Sequence, residues 1–168
     1  MKKAIVTGGA GFIGSHMVEL LLNRGFKVLC LDNMANGQEP NVDLFKTNPN
    51  YEFHQVNLSD SFDDILFKDT EYVFHMAGLA DIVPSIEQPI KYHQANVTGT
   101  IRVLEACRKY GIQKLVFSAS STAYGVPDIY PTPEEAPMKP QYPYAFTKYI
   151  AEQYVLFWHQ LYQLPVIS

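Results

Sequence analysis

Apolar positions along this chain fall into two rhythms. Short, β-branched runs at 3–7, 27–31, 51–55, 72–75, 114–118 and 165–168 read as strands. The run "KLVFS" (114–118) shows no strict polar alternation, as a strand buried on both faces should not. Between these runs lie longer segments whose apolar residues return every third or fourth position, at 12–24, 90–110 and 144–162. Weaker helical periodicity covers 41–47 and 61–67. Strands alternating with helices, joined by crossovers too long for hairpins, predict an α/β fold with a doubly wound parallel sheet. Residues 126–143 carry six prolines and read as a loop, either a surface excursion or the segment that delivers the chain to Tyr144. No internal repeat or interdomain linker interrupts the pattern, so 1–168 reads as one domain.

The first strand runs into "TGGAGFIGSH", with glycines at 8, 9, 11 and 14 just before a helix. A helix N-terminus presents unpaired N–H groups and the positive end of its dipole, and so attracts phosphate. Gly8 or Gly9 permits the tight turn, Gly11 admits a diphosphate to the backbone, and Gly14 lets the helix pack on the strand. Asp32 ends the second strand, eighteen residues past Gly14. Its carboxylate can accept hydrogen bonds from ribose hydroxyls and repel a 2′-phosphate, which predicts NAD rather than NADP; the competing role is that of a turn or cap residue.

Composition narrows the alternatives. A formal charge of −4, with basic residues scattered, argues against a nucleic-acid surface. The apolar run after Lys2-Lys3 stops at Thr7, too short for a signal peptide, and no segment approaches a bilayer span. Cys30 and Cys107 lack metal or redox spacing and read as reduced core thiols of a cytoplasmic protein, with no structural metal.

A second group of chemical residues comes later. "LVFSASSTAYG" (115–125) ends a predicted strand in hydroxyls, and "YPYAFTK" (142–148) contains Tyr144 and Lys148 four apart on one helix face. A phenol titrates near 10 and is a poor base at neutral pH, but adjacent positive charge stabilises its phenolate. Lys148 can supply that charge, and a hydroxyl at the strand end can hold a substrate oxygen beside Tyr144.

With these residues in family order ("TGGAGFIGSH", "LDN", "VFHMAG", "NVTGT", "LEACRKYGIQKLVFSAS", "YG", "YAFTK"), the whole chain resembles an extended short-chain dehydrogenase/reductase of the NAD-dependent sugar epimerase/dehydratase family. The resemblance implies a Rossmann-type fold, NAD as cofactor, a nucleotide-sugar substrate, most simply UDP-linked, and a homodimer. It implies Ser120, Tyr144 and Lys148 as the catalytic trio. Phe12, Ile13, Asp32, Asn33, Asn36 and Gly37 would wrap diphosphate and adenosine, and Met76, Ala77 and Gly78 would line the path to the nicotinamide. Asn57-Leu58 stands where the family usually has Asp before the adenine-contacting residue; an amide oxygen can still accept from adenine. Ala80 and Ala119 replace a lysine and a serine common in the family.

The family's 4,6-dehydratases carry acids just after the catalytic hydroxyl, and its decarboxylases carry a nearby glutamate. Ser121 and Thr122 occupy those positions here, which leaves epimerisation through a transient keto-sugar as the simplest reaction. A non-catalytic NAD-binding module and an NADH-dependent keto-sugar reductase remain as alternatives. Family members continue into a smaller substrate lobe, so the resemblance makes this chain either the amino-terminal portion of a longer enzyme or a short natural relative.

Several other residues admit two readings. His75 is a strand-end histidine with one backbone hydrogen bond, or a general base. Asn96 is a buried amide tying backbone, or a proton relay, and Ser85 reaches a sugar or caps a helix. Asp63-Asp64 and Glu134-Glu135 read as solvated surface, and Tyr154, Trp158 and Tyr162 as core or dimer interface.

Overall fold

The computed structural model covers all 168 residues. Strands β1 (Lys3–Thr7), β2 (Lys27–Asp32), β3 (Tyr51–Gln55), β4 (Tyr72–His75), β5 (Lys114–Phe117) and β6 (Val166–Ile167) form one sheet, ordered β3-β2-β1-β4-β5-β6. Every pairing is parallel, with Ile5 opposite Leu29 on one side and Val73 on the other. Strand order reverses between β1 and β4, which opens a crevice at their carboxyl ends.

The missing polar alternation has a direct cause: the sheet has a core on each face. Ile5, Leu29, Leu31, Val73 and Leu115 enter one core, whereas Ala4, Val6, Val28 and Cys30 enter the other. The helices are α1 (Phe12–Asn23), α2 (Glu39–Asp43), α3 (Ile82–Glu87), α4 (Pro89–His93), α5 (Gly99–Tyr110) and α6 (Pro143–Tyr162). Val18 and Leu21 of α1 close the second core, while Val103, Leu104 and Cys107 of α5 and Ala151 and Val155 of α6 close the first. No helix is long and apolar enough to cross a membrane.

Three expectations shift. The helix expected over 90–110 begins at Pro89 and is broken by a π turn, Gln94–Thr98, between α4 and α5. The weak 41–47 segment moves forward to α2, where Pro40 sits in the first turn. The 61–67 segment shrinks to a 3₁₀ turn, Asp64–Phe67, whose N-terminus is capped by the Asp63 carboxylate accepting from Ile65 N–H. Asp64 is therefore not free surface: it pairs with Lys109 at 2.8 Å and accepts from the Tyr110 hydroxyl. Helix α3 escaped the sequence reading because Ile82, Val83 and Ile86 are exposed, leaving no buried stripe to detect. Its Ser85 does not cap; the buried hydroxyl donates back to Ile82 O. Tyr154 and Trp158 pack against the first core, and Tyr162 lies at its edge under the Arg108 guanidinium.

His75, the last residue of β4, is buried, and side-chain hydroxyls rather than backbone meet its ring: Thr7 Oγ1 at Nδ1 (2.6 Å) and Thr100 Oγ1 at Nε2 (2.9 Å). Burial, and secondarily the Lys148 charge, push its pKa from 6.5 to about 3. Below 6.5 the unfolded chain takes up a proton that the native ring refuses. Native stability should therefore fall with pH across that window, by at most about 1.4 kcal/mol per pH unit from this group. In urea unfolding, His75→Gln should show a flatter pH dependence than the parent over this acidic range; equal slopes would contradict the assignment.

Candidate functional site

The carboxyl ends of β1, β2 and β4 border a groove of about 640 Å³ that is open to solvent. Gly8, Gly11, Asp32, Asn33, Asn36, Gly37, Asn57, Leu58, Met76, Ala77 and Gly78 line it, all residues expected at a dinucleotide site. Leu31, Ala35, Val56, Ser59, Leu79 and Ala95 line it too. The sequence reading did not single these out, although most are immediate neighbours of residues it did.

The glycine loop is explained partly by the protein and partly by what the groove must admit. Gly8, not Gly9, makes the turn: its φ is +69°, and a Cβ there would lie 2.7 Å from the Ala77 backbone. A Cβ on Gly14 would strike the Gly8 carbonyl, so α1 can start this close to β1 only without one. Gly11 has an ordinary φ of −79°, and a Cβ there would meet only Gly8 O, at 3.3 Å. A side chain at Gly11 asks the Gly8 carbonyl to give by a few tenths of an ångström, and it would also narrow the groove that Gly11 lines.

Gly11 is also the N-cap of α1 and offers no side-chain acceptor. The N–H groups of Phe12, Ile13 and Gly14 accordingly have no protein partner, and Ser15 N–H is the first to bond, to Gly11 O. Phe12 and Ile13 do not line the groove; their side chains are 80% and 61% exposed, so any contribution to a diphosphate comes from their backbone. This is the donor set an anion needs.

Asp32 fills the turn role that competed with ribose binding. Its Oδ2 accepts from Ala10 N–H at 3.0 Å and its Oδ1 from Met34 N–H at 2.8 Å, which fixes the glycine loop and the turn after β2. Each oxygen keeps a lone pair for a ribose hydroxyl at the groove wall. Asn33 accepts from Ala35 N–H in the same turn. Asn57 is already engaged: its amide oxygen accepts from Ser59 N–H and Oγ, so contact with an adenine amino group requires that side chain to turn.

Beyond Gly78 and Leu79, the hydroxyls and the lysine come together at the end of β5. Tyr144 Oη donates to Ser120 Oγ at 3.3 Å, and Ser120 Oγ lies 2.8 Å from Thr122 Oγ1. Ser120 reaches this position by capping the 3₁₀ turn Ser121–Tyr124. Lys148, on the same face of α6 as Tyr144, does not bond its phenol. Its ammonium donates instead to Ser118 O at 2.6 Å and lies 4.4 Å from the Phe117 ring centre, because the side chain is long enough to reach the strand end. Burial lowers the Lys148 pKa to about 8, with Glu152 opposing, so the charged form still dominates at neutral pH. Tyr142 stacks on the Tyr144 ring and Tyr92 meets it edge-on, two neighbours that no spacing in the sequence had marked. Asn96 is the buried tie: its amide bonds both Leu79 N–H and Leu79 O, and donates to Thr147 Oγ1.

Comparison with known proteins agrees with this arrangement. A family model described as GDP-mannose 4,6 dehydratase matches residues 5–168. UDP-glucose 4-epimerase of Bacillus subtilis is 40% identical over 154 residues, spanning 89% of this chain and 45% of that protein. UDP-N-acetylglucosamine 4-epimerase from Methanobrevibacter ruminantium, solved with UDP-N-acetylmuramic acid, superposes with a TM-score of 0.93 at 35% identity, over 98% of this chain and 53% of its own. UDP-glucose 4-epimerase of Thermus thermophilus, solved with NAD, gives a TM-score of 0.88 at 40% identity, over 99% and 53%. The chain thus spans about half the length of the relatives it matches. A 3-2-1-4-5-6 sheet, the glycine loop on its first crossover and the matched family model together make this chain a member of the NAD-dependent epimerase/dehydratase family of extended short-chain dehydrogenases/reductases.

Proposed function

We propose that this chain binds NAD and carries the reacting residues of a UDP-sugar 4-epimerase. One observation carries the reading: Tyr144 Oη and Ser120 Oγ meet at 3.3 Å past the carboxyl end of β5, outside the lining of the groove, and residues 121 and 122 are hydroxyls rather than acids. Water elimination needs a proton donor and base beyond the tyrosine; reversible oxidation at one carbon does not. The similar epimerases, including one solved with NAD, support it.

The groove fits the cofactor. Free amides at the start of α1 and the bare face of Gly11 suit a diphosphate, and Asp32 suits an unphosphorylated ribose. Bound NAD⁺ would supply a hydride acceptor that returns what it takes. Tyr144 then removes the proton of the sugar hydroxyl and restores it after the oxidised sugar has turned. Ser120 donates to the reacting oxygen, and Lys148 holds its positive charge at the end of β5 through Ser118 O. The outward face of α6 exposes Phe146, Phe157 and Leu161, which suits pairing with a second copy.

With the protein in its full natural length and no cofactor added, UDP-glucose and UDP-N-acetylglucosamine should be inverted at C4 without net NADH change. Tyr144→Phe should lower kcat by roughly 10²- to 10⁴-fold. Stoichiometric NADH consumption would make the protein a reductase, and equal turnover by Tyr144→Phe would remove the tyrosine from the reaction. Gly11→Ala, in protein still folded at the assay temperature, should lose about 1–3 kcal/mol of NAD⁺ binding, roughly 5- to 150-fold in calorimetry. Unchanged affinity would place the diphosphate elsewhere.

A further inference from the structure

The reaction above leaves His75 unused, yet its position is over-determined. Thr100 Oγ1 lies 2.6 Å from Asn96 O, and a carbonyl can only accept, so the Thr100 hydroxyl hydrogen points there. Thr100 Oγ1 must then accept from His75, which puts the ring hydrogen on Nε2. His75 Nδ1 is left to accept the Thr7 hydroxyl, and Thr7 Oγ1 is free to accept Ala77 N–H, as it does at 3.3 Å. Every hydrogen along the line has one consistent place. The line runs from the rim of the groove at Ala77, through the ends of β1 and β4, into the π turn Gln94–Thr98.

The π turn is where the line acts. A π turn breaks the regular i→i−4 ladder, and here the Asn96 carbonyl receives a side-chain hydroxyl. That fixes the Asn96 backbone, whose carboxamide grips Leu79 at the groove wall and donates to Thr147 Oγ1. Thr147 in turn donates to Tyr144 O, one turn back along α6. The segment from β1 to α6 is buried at Thr7, His75, Thr100, Asn96 and Thr147.

We propose that His75 is a positioning residue for the reaction: as a neutral Nε2–H donor it sets Thr100 and the π turn, and through Asn96 and Thr147 it sets Tyr144 against the groove. A charged imidazolium carries a hydrogen on each nitrogen, which would turn the Thr7 hydroxyl away; burial keeps the ring neutral. The inference rests on the epimerase reading for its kinetic consequence but not for its geometry.

Thr100→Val keeps shape and removes the hydroxyl; Thr100→Ser restores it. In the NAD-loaded, full-length protein, Thr100→Val and His75→Leu should lower kcat by about tenfold, as displaced reacting groups do. KM and bound NAD per subunit should stay within about twofold of the parent, and Thr100→Ser should recover most of kcat. Loss confined to KM or to NAD content, or no loss in kcat, would overturn the inference. If the parent turns over no nucleotide-sugar, the function proposed above has failed, and the geometry is decided by NMR of the chain labelled at tyrosine rings and histidine nitrogens. The His75 nitrogen shifts should report a neutral Nε2–H ring at pH 7, and the Tyr144 ring signal should move in Thr100→Val and return in Thr100→Ser. A Tyr144 signal indifferent to Thr100, or an Nδ1–H ring, would overturn the inference as well.

Discussion

One close approach organises the site: the backbone at Gly14 passes against the Gly8 carbonyl, where β1 hands over to α1. With α1 pulled onto the strand end, its first amides stand unpaired next to Gly11, which lines the crevice where sheet order reverses. Asp32 holds the same loop from the side, through Ala10 N–H, while Gly8 N–H donates to Leu31 O at 2.7 Å. The loop is thereby anchored to β2 by a backbone bond and a carboxylate. Moving α1 away by the width of a methyl group would separate the amides from the ribose-facing acid, and the groove would lose its two-point grip.

The opposite wall is built by a different device. There Ser120 comes from the turn after β5, and Tyr144 and Lys148 from α6. Lys148 reaches across to Ser118 O, and Asn96 bridges Leu79 to Thr147, so the buried polar groups of three elements are satisfied by one another. Left unpaired, each such group would cost about 1–3 kcal/mol. The same bonds that offset burial also fix where Tyr144 stands, so stability and positioning are not separable properties here.

Much of this was legible in the chain. All six strands, α1 and α6 followed from periodicity, as did the helical character of 90–110 though not its break, because two buried faces and amphipathic crossovers leave strong patterns. Of the groove residues, Gly8, Gly11 and Asp32 followed from spacing, whereas Asn33, Asn36, Gly37, Asn57, Leu58, Met76, Ala77 and Gly78 followed only from the family resemblance. What escaped was set by tertiary contact rather than local pattern. Helix α3 buries only Ser85 and so has no apolar stripe. The π turn, where the Thr100 hydroxyl donates to Asn96 O, is not encoded by spacing. The Lys148 ammonium was expected near the phenol from helix geometry, but a four-carbon stem lets it choose the strand end instead. The stacking of Tyr142 on Tyr144 and the edge-on contact of Tyr92, from α4, likewise arise only in the folded chain.

The central claim is that the start of α1 and the end of β2 form a seat for an unphosphorylated dinucleotide. Calorimetric titration of the cofactor-stripped protein with NAD⁺ and with NADP⁺ tests it most directly. Saturable one-to-one uptake of NAD⁺, with NADP⁺ markedly weaker because its 2′-phosphate faces Asp32, is the predicted result. A folded protein that takes up neither, or that prefers NADP⁺, would contradict it.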